Sequence, residues 1–349
     1  MIWKRFKKNK LALGGFIFLS ICILTSLLGF LIIPDHTPDV NTMYPDIALK
    51  GPGFTCSYIK IKPNDPTPEP SFFIKITKGW NPPYDLIAVD SIASTSDSLY
   101  YRSIGNTQLN SIHKSILFHP VDYKISRTSL MGTDRYGRDL FSRLIIGARV
   151  SIAVGLVAVI ISVLIGLLMG LLAGYYRGKV DGLIMWLINI IWSLPTLMFI
   201  IALTFAIGKG FWQIFVAVGL TTWVELARIV RGQVFSIREM EYIQAAKILG
   251  FKNWRILIKH ILPNIWGTVI IMSVANFASA ILLEAGLSFL GQGLQPPTPS
   301  LGQMIKENYA FIVFDASHLA IFPGLMIALL VMSVNFIGNG LRDAFDVNE

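Results

Sequence analysis

The chain has 349 residues, of which 53% are hydrophobic and only 15% charged, and its formal net charge is +9. Soluble globular domains carry about 25% charged residues, so this composition excludes an ordinary soluble domain and indicates that the lipid bilayer is the solvent. The positive charge does not predict nucleic-acid binding, because the basic residues cluster beside apolar segments and the sequence contains no module that reads bases.

The N-terminal segment predicts a first transmembrane helix. Five basic residues are followed by an uncharged run from Leu11 to Ile33, which is long enough to cross a hydrocarbon core of about 30 Å. A secretory signal has a shorter apolar run and ends in a small-x-small cleavage pattern, which is missing here. We therefore interpret residues 1–33 as a cytoplasmic tail and an uncleaved membrane helix.

Five further uncharged segments predict an all-α integral membrane protein with six transmembrane helices. These segments lie at about residues 150–174, 183–207, 210–230, 265–287 and 319–341. Pro195 is expected to kink the third helix, because proline removes a backbone hydrogen bond.

The distribution of lysine and arginine predicts how the protein is oriented in the cell (inner, cytoplasmic) membrane. Basic residues concentrate in the N-terminal tail and in the connections 175–182 and 225–264, and basic loops stay in the cytoplasm. Both termini are therefore expected in the cytoplasm. The same orientation places residues 34–128 outside as an extracytoplasmic insertion, before a membrane domain of residues 129–349.

The insertion is rich in proline and is expected to contain short β-strands. Apolar residues alternate with polar ones over residues 58–62 and 73–77, and both stretches are bounded by turn-forming residues. Such alternation is typical of half-buried strands.

The cytoplasmic loop 236–263 predicts a helix, a sharp turn and a second helix. Gly250 suits a left-handed helix cap, and apolar or small residues recur at helical spacing on both sides of it: Tyr242, Ala245, Ala246 and Leu249 before it, and Phe251, Trp254, Ile258 and Ile261 after it. The small side chains of Ala245 and Ala246 would let another surface approach the backbone. The periodicity equally fits an amphipathic hairpin that lies on its own bundle.

This loop resembles a known family. The order Gln244, Ala245, Ala246, then Gly250 and finally Leu262-Pro263 is similar to the EAA signature of bacterial ATP-binding cassette importer permeases, in which the loop docks into an ATPase subunit. Gln244 departs from the pattern, because the family usually has glutamate there. The resemblance assigns the docking role to a set of loop residues, namely Tyr242, Gln244, Ala245, Ala246, Leu249, Gly250, Trp254, Leu262 and Pro263.

Two other stretches narrow the resemblance to the C-type permease subunit of oligopeptide, dipeptide and nickel importers. Gly132–Asp139 is similar to the segment before the second span of those subunits, and Glu284–Gly291, with the proline-rich stretch up to Gly302, is similar to the exit of their fifth span. The three motifs occur in the family's order between Met131 and Asp343. The resemblance does not cover the insertion 34–128.

The resemblance implies a permease of the type I importer kind that carries peptides or similar small solutes inward. Its expected partners are a second homologous permease, two cytoplasmic ATPases and an extracytoplasmic solute-binding protein. The chain has no phosphate-binding Gly-x-x-x-x-Gly-Lys-Ser/Thr loop, so ATP and Mg are expected on the partner ATPases. No catalytic or metal-ligand pattern is present, which predicts a transport subunit that is not an enzyme and that binds no cofactor directly.

Four residues within the predicted spans invite both a structural and a functional interpretation. Gly166, Gly170 and Gly174 form a small-residue stripe, which predicts close helix packing. Glu284 lies at the end of an apolar run, where a carboxylate could contact substrate or a partner, or could serve packing at the membrane interface.

The rival hypothesis is a secondary transporter or channel that works without ATPase subunits. Such proteins are expected to show intramembrane charges or broken helices in paired halves. The sequence shows no such paired segments, and its most structured loop is cytoplasmic.

Overall fold

A computed structural model describes residues 2–63, 68–208 and 210–345. The chain divides into two compact units. The first unit comprises residues 1–21, 151–294 and 327–349, and the second comprises residues 22–150 and 295–326.

The structure is mostly helical. In chain order the α-helices are α1 (Ile2–Phe6), α2 (Lys10–Leu27), α3 (Gly29–Ile32), α4 (Phe72–Lys78), α5 (Leu140–Tyr176), α6 (Gly178–Trp192), α7 (Thr196–Ile207), α8 (Phe211–Arg238), α9 (Glu241–Ile248), α10 (Asn253–Ile256), α11 (Leu262–Phe289), α12 (Leu301–Asn308) and α13 (His318–Phe345). Short 3-10 turns cover Pro45–Ile47, Lys114–Ile116 and Tyr309–Ile312, and a π turn covers Leu257–Ile261.

Among the described residues, five helical stretches are long and apolar enough to cross a membrane. They are α2, α5, α8, the stretch Asn253–Phe289 that ends in α11, and α13. Helices α6 and α7 make a sixth span if they are counted together, and they are bent by 97° at their junction. The prediction of a six-span helical membrane protein is therefore confirmed, with the third span broken.

The break between α6 and α7 lies where Pro195 predicts a kink. Proline has no N–H to donate and disfavours a helical conformation in the residue before it. Ser193 ends α6, and its hydroxyl donates to the carbonyl of Ile190 at 2.7 Å. The helix therefore stops and restarts at this point.

Helix α5 begins at Leu140, well before the predicted start of the second span at residue 150. The carboxylate of Asp139 accepts hydrogen bonds from the backbone N–H of Ser142 at 2.8 Å and from its hydroxyl at 2.6 Å. A side chain in this position caps the free N–H groups of a helix start. The polar cap extends the helix beyond its apolar stretch, which hydropathy alone does not predict.

In the first unit the glycine stripe of α5 lies directly against α8. A Cβ atom added at Gly166 would come within 2.8 Å of the Trp223 carbonyl oxygen, and one added at Gly170 within 2.7 Å of the Val230 Cβ. At Gly174 the corresponding distance to the Val234 Cβ is 2.6 Å. Side chains at these positions would force the two helices apart.

The first and last spans also meet in this unit. A Cβ atom at Gly15 would come within 2.6 Å of the Ser333 carbonyl oxygen, and one at Gly340 would collide with Ala12. The side-chain amide of Asn9 donates to the carboxylate of Asp343 at 3.0 Å. The beginning of α2 and the end of α13 therefore lie side by side.

The second unit contains two three-stranded antiparallel sheets, which confirms the expectation of β-structure in the insertion. The strands are β1 (Phe54–Ile61), β2 (Asp85–Val89), β3 (Ser91–Ser94), β4 (Ser98–Arg102), β5 (Leu109–His113) and β6 (Lys124–Ser129). Their orders are β2-β1-β6 and β3-β4-β5. Tyr58 of β1 faces Ala88 on one side and Ile125 on the other.

The strand predicted at residues 73–77 is wrong, because this stretch belongs to helix α4. Its backbone bonds are local: the N–H of Lys75 donates to the Ser71 carbonyl at 3.1 Å. Phe73 and Ile74 are both exposed, so the alternation does not separate a buried face from a solvated one. Five residues of alternation do not distinguish a strand from a short exposed helix.

Substituting Gly170 with leucine tests the contact between α5 and α8. The new side chain would overlap Val230, and overpacking of this kind costs roughly 1–3 kcal/mol or more. We expect a lower yield of monodisperse protein in mild detergent and a lower thermal unfolding temperature. Gly14→Leu is the matched control, because no other side chain or backbone lies within 4 Å of a Cβ at that position. Equal behaviour of the two variants would show that the stripe does not set the packing.

Candidate functional site

The loop between α8 and α11 folds as a helix, a turn and a second helix. Helix α9 ends in a turn at Gly250, whose φ angle of +77° is left-handed, as predicted. The N–H of Gly250 donates to the Lys247 carbonyl at 3.0 Å and that of Phe251 to the Ala246 carbonyl at 3.1 Å. These bonds satisfy the last carbonyl groups of α9 and reverse the chain.

The second helix of the loop runs on into the membrane span. Helix α10, the π turn Leu257–Ile261 and α11 follow one another without a gap. Pro263 stands in the first turn of α11, directly after the π turn, where the regular backbone hydrogen-bond pattern of the helix is already interrupted. The second helix of the loop is therefore continuous with the fifth span.

Ala246 does not face outward as the sequence predicts. Together with Ile243 it is buried against Val230 and Val234 of α8 and against Leu257 of the π turn. The prediction is wrong because Ile243 and Ala246, three residues apart, form the inward face of α9. Of the two small residues, only Ala245 is exposed.

The predicted apolar face of the second helix is also wrong in part. Ile261 is buried, but Trp254 and Ile258 are exposed, and Ile256 and Leu257 are buried instead. The π turn adds a residue to the helical repeat, so a spacing of three and four residues no longer marks one face.

An exposed surface with a large apolar content remains on this loop. We call it the loop surface, and it consists of Tyr242, Ala245, Ile248, Leu249 and Trp254. Leu249 is 71% and Trp254 is 66% exposed. Large apolar side chains clustered at the surface mark a site of interaction with another molecule.

Polar groups beside the loop surface give it a positive character. The side-chain amide of Gln244 donates to the Arg238 carbonyl at 3.0 Å, which is a bond that glutamate cannot make. Within the part of the chain that the structure describes, no acceptor reaches Nε or Nη1 of Arg238. Burial, followed by the charge of Arg238, lowers the pKa of Lys247. Nε and Nη1 of Arg238 are buried, and its guanidinium carbon lies 5.7 Å from the centre of the Tyr175 ring.

Glu284 is fully buried in the first unit. Its two carboxylate oxygens accept hydrogen bonds from the hydroxyl of Ser151 at 2.9 Å and from that of Ser288 at 2.7 Å. Ser151 belongs to α5 and Ser288 to α11, so the carboxylate links two spans. Glu284 therefore does not lie at an exposed membrane interface, and its hydrogen bonds favour the packing interpretation.

A second polar link between spans was missed by the sequence reasoning. The side-chain amide of Asn276 donates to the Ser162 hydroxyl at 2.9 Å and to the Thr222 carbonyl at 3.2 Å. An amide inside an apolar run is a signal for an interhelical hydrogen bond, and the run 265–287 contains this one.

In the second unit the motif Gly132–Asp139 forms half of a buried ion cluster. Arg138 binds Asp134 at 2.6 Å and Glu307 at 2.7 Å. Arg143 binds the same two carboxylates at 3.0 and 3.3 Å. Glu307 belongs to α12, next to the proline-rich stretch of the other motif. The network therefore joins the motif Gly132–Asp139 to helix α12, and the pairing of Arg138 with Glu307 could not be predicted from spacing alone.

The chain matches two protein families. Residues 162–347 match the binding-protein-dependent transport system inner membrane component. Residues 1–52 match the N-terminal transmembrane domain of oligopeptide transport permease C.

Two relatives and one solved structure show what the chain is similar to. The dipeptide transport system permease protein DppC of Lactococcus lactis is 31% identical over 99% of this chain and 89% of its own length. The oligopeptide transport system permease protein OppC of Salmonella typhimurium is 45% identical over 62% of this chain and 72% of its own length. A chain of the inward-facing MetNI methionine ABC transporter is 20% identical, with a TM-score of 0.49 over 59% of this chain and 97% of that chain.

Replacing Arg138 with methionine tests the ion cluster. Removing one partner of a buried ion pair leaves uncompensated charge and costs about 3–5 kcal/mol. We expect a marked loss of thermal stability in the purified protein. Arg135→Met is the matched control, because Arg135 is exposed and forms no part of the cluster. If both variants unfold at the same temperature, the cluster does not stabilise the unit.

Proposed function

Because the chain belongs to the family of binding-protein-dependent transport system inner membrane components, its function is that of a permease subunit of an ATP-binding cassette importer, and we propose that its cargo is a peptide or a similar small solute. The relatives named for dipeptide and oligopeptide transport support this cargo. A match to the N-terminal domain of permease C over residues 1–52 supports the C-type position in the complex.

The observation that carries the coupling proposal is the loop surface at the end of a continuous helix. We propose that a cytoplasmic ATPase binds the exposed side chains Tyr242, Ala245, Leu249 and Trp254. Gly250 shapes the turn, Gln244 fixes α9 to the end of α8, and Ala246 and Leu262 hold the loop to its own bundle. Pro263 stands in the first turn of α11. ATP and Mg are bound by the ATPases, whose movement reaches the membrane through α11.

The partners follow from the same family. We propose a complex with a second homologous permease, two ATPases and an extracytoplasmic solute-binding protein. Arg238 ends α8 and Lys247 stands in the last turn of α9, and these basic side chains favour an ATPase surface of acidic character.

The proposed topology has both termini in the cytoplasm. The contact between Asn9 and Asp343 brings the start of the first span beside the end of the last, which requires an even number of crossings. Five long spans alone would leave the two ends on opposite faces, so the bent pair α6 and α7 supplies the sixth crossing. With the basic loop inside, residues 34–128 form an extracytoplasmic insertion and residues 129–349 the permease domain.

Cysteine labelling in intact cells tests this topology. In a variant without the two native cysteines, Ser96→Cys is expected to react with a membrane-impermeant maleimide, and Lys8→Cys only after permeabilisation. Both positions are exposed, so their reactivity reports the side of the membrane. Labelling of residue 8 in intact cells would overturn the orientation. Thr67 and Glu349, for which the sequence predicts the outside and the inside, lie outside the described residues.

Substituting Ala245 with arginine tests the coupling proposal. A long charged side chain on the loop surface is expected to abolish ATPase association and ATP-dependent uptake together, while membrane insertion stays normal because residue 245 is exposed. Ala93→Arg is the matched control: Ala93 is also exposed, but it lies on β3 in the insertion. Copurification and uptake in proteoliposomes are the measurements.

Ala246→Arg separates docking from folding. Since Ala246 is buried, this variant is expected to lose yield before any loss of docking is measured. Full uptake by the unaltered chain without ATPases would contradict the permease-subunit function itself.

A further inference from the structure

The short helix α4 presents a large apolar surface that the described part of the chain does not cover. Phe72 is 71% exposed, Phe73 is 75% exposed, and Ile74 is also exposed. Lys75 and Lys78 follow on the same short helix. An exposed pair of phenylalanines followed by lysines is the composition of a segment that lies at a membrane surface.

Helix α4 lies beside the outer end of the first span. Helix α4 packs against α3, and α3 is the outer end of the first span. From Lys10 to Ile32 the span has room for about 34 Å of helix, against a hydrocarbon core of about 30 Å. Helix α3 therefore lies at the boundary between acyl chains and headgroups, and α4 lies beside it.

Trp80 follows the end of α4 and contacts residues near the outer end of the first span. The backbone N–H of Trp80 donates to the His36 carbonyl at 2.8 Å, and the indole ring stacks on the His36 ring with 4.3 Å between centroids. The same ring packs against Phe30 and Ile33 at the end of the first span. These contacts place Trp80 beside residues that flank the outer end of the first span.

Apolar side chains at the outer end of the first span are exposed as well. Leu27 is 56%, Leu31 46% and Ile32 52% exposed. We propose that Phe72, Phe73 and Ile74 insert into the same leaflet, so that α4 anchors the insertion to the membrane surface. Lys78 is exposed and extends its ammonium group toward the phosphate headgroups, whereas the ammonium group of Lys75 binds the Glu69 carboxylate at 2.9 Å. This inference goes beyond the transport function and does not depend on the cargo.

Fluorescence quenching of the full-length protein tests the anchor. An environment-sensitive NBD label is placed on Phe73→Cys, in a chain whose native cysteines are replaced by alanine, in nanodiscs of phosphatidylcholine and phosphatidylglycerol. Lipids with a nitroxide near the start of the acyl chain are expected to remove most of the emission, and iodide in the buffer very little. Leu109→Cys, an exposed apolar position on β5, is expected to show the opposite pattern.

The remaining outcomes contradict the proposal. Quenching of residue 73 by iodide to the extent seen at residue 109 would mean that α4 faces water. Shielding from both quenchers would mean that protein covers the surface of α4. The proposed contact with lipid would then be wrong. Phe72→Cys, labelled in the same way, controls for a local disturbance by the label at residue 73. The proposal requires the same quenching pattern at both positions.

Discussion

Helices in a bilayer gain little from hiding apolar side chains, because the surrounding acyl chains are equally apolar. Close approach of backbones then decides which helices pair. In the first unit this approach is provided by Gly166, Gly170 and Gly174 of α5, whose missing side chains admit Val230 and Val234 of α8. The position of α8 depends on this contact.

The position of the loop surface depends on α8 in turn. Val230 and Val234 also belong to the apolar cluster that receives Ile243 and Ala246 of α9. Val230 and Val234 therefore pack against the glycines of α5 and also against the buried residues of α9. A substitution in the glycine stripe that shifted α8 would also shift the loop surface, although the stripe does not contact that surface directly.

The link from the loop to the membrane is a single helical stretch of 37 residues, Asn253–Phe289, which is about 55 Å long at 1.5 Å per residue. Buried polar contacts hold this stretch to its neighbours: Asn276 binds α5 and α8, and Glu284 binds α5. Under the proposed docking, a force applied at Trp254 would reach three spans together.

The sequence predicted the parts of the fold that depend on local composition. Hydropathy located the spans, and the glycine at position 250 predicted the left-handed turn that the structure confirms. Pro195 predicted where the third span is interrupted, but not the angle of 97° between its two helices. The size of a bend depends on the neighbours of the helix, which no local pattern contains.

The failures arose where distant segments decide the outcome. Ala246 faces inward because α8 lies behind it, and residues 73–77 form a helix because no strand pairs with them. The cluster of Asp134, Arg138, Arg143 and Glu307 joins positions more than 160 residues apart. Such pairs are recognised only when the fold has brought them together.

The environment of Glu284 bears on the choice between a permease subunit and a self-contained secondary transporter. A carboxylate that binds ions or protons during transport faces a cavity reached by water or by the substrate. Glu284 has no exposed surface, and hydroxyl groups of Ser151 and Ser288 already donate to its two oxygens. A carboxylate held in this way joins α5 to α11, as Asn276 does nearer the middle of the same helix. The burial of Glu284 and its hydrogen bonds to two serine hydroxyls therefore favour a role in helix packing over ion binding.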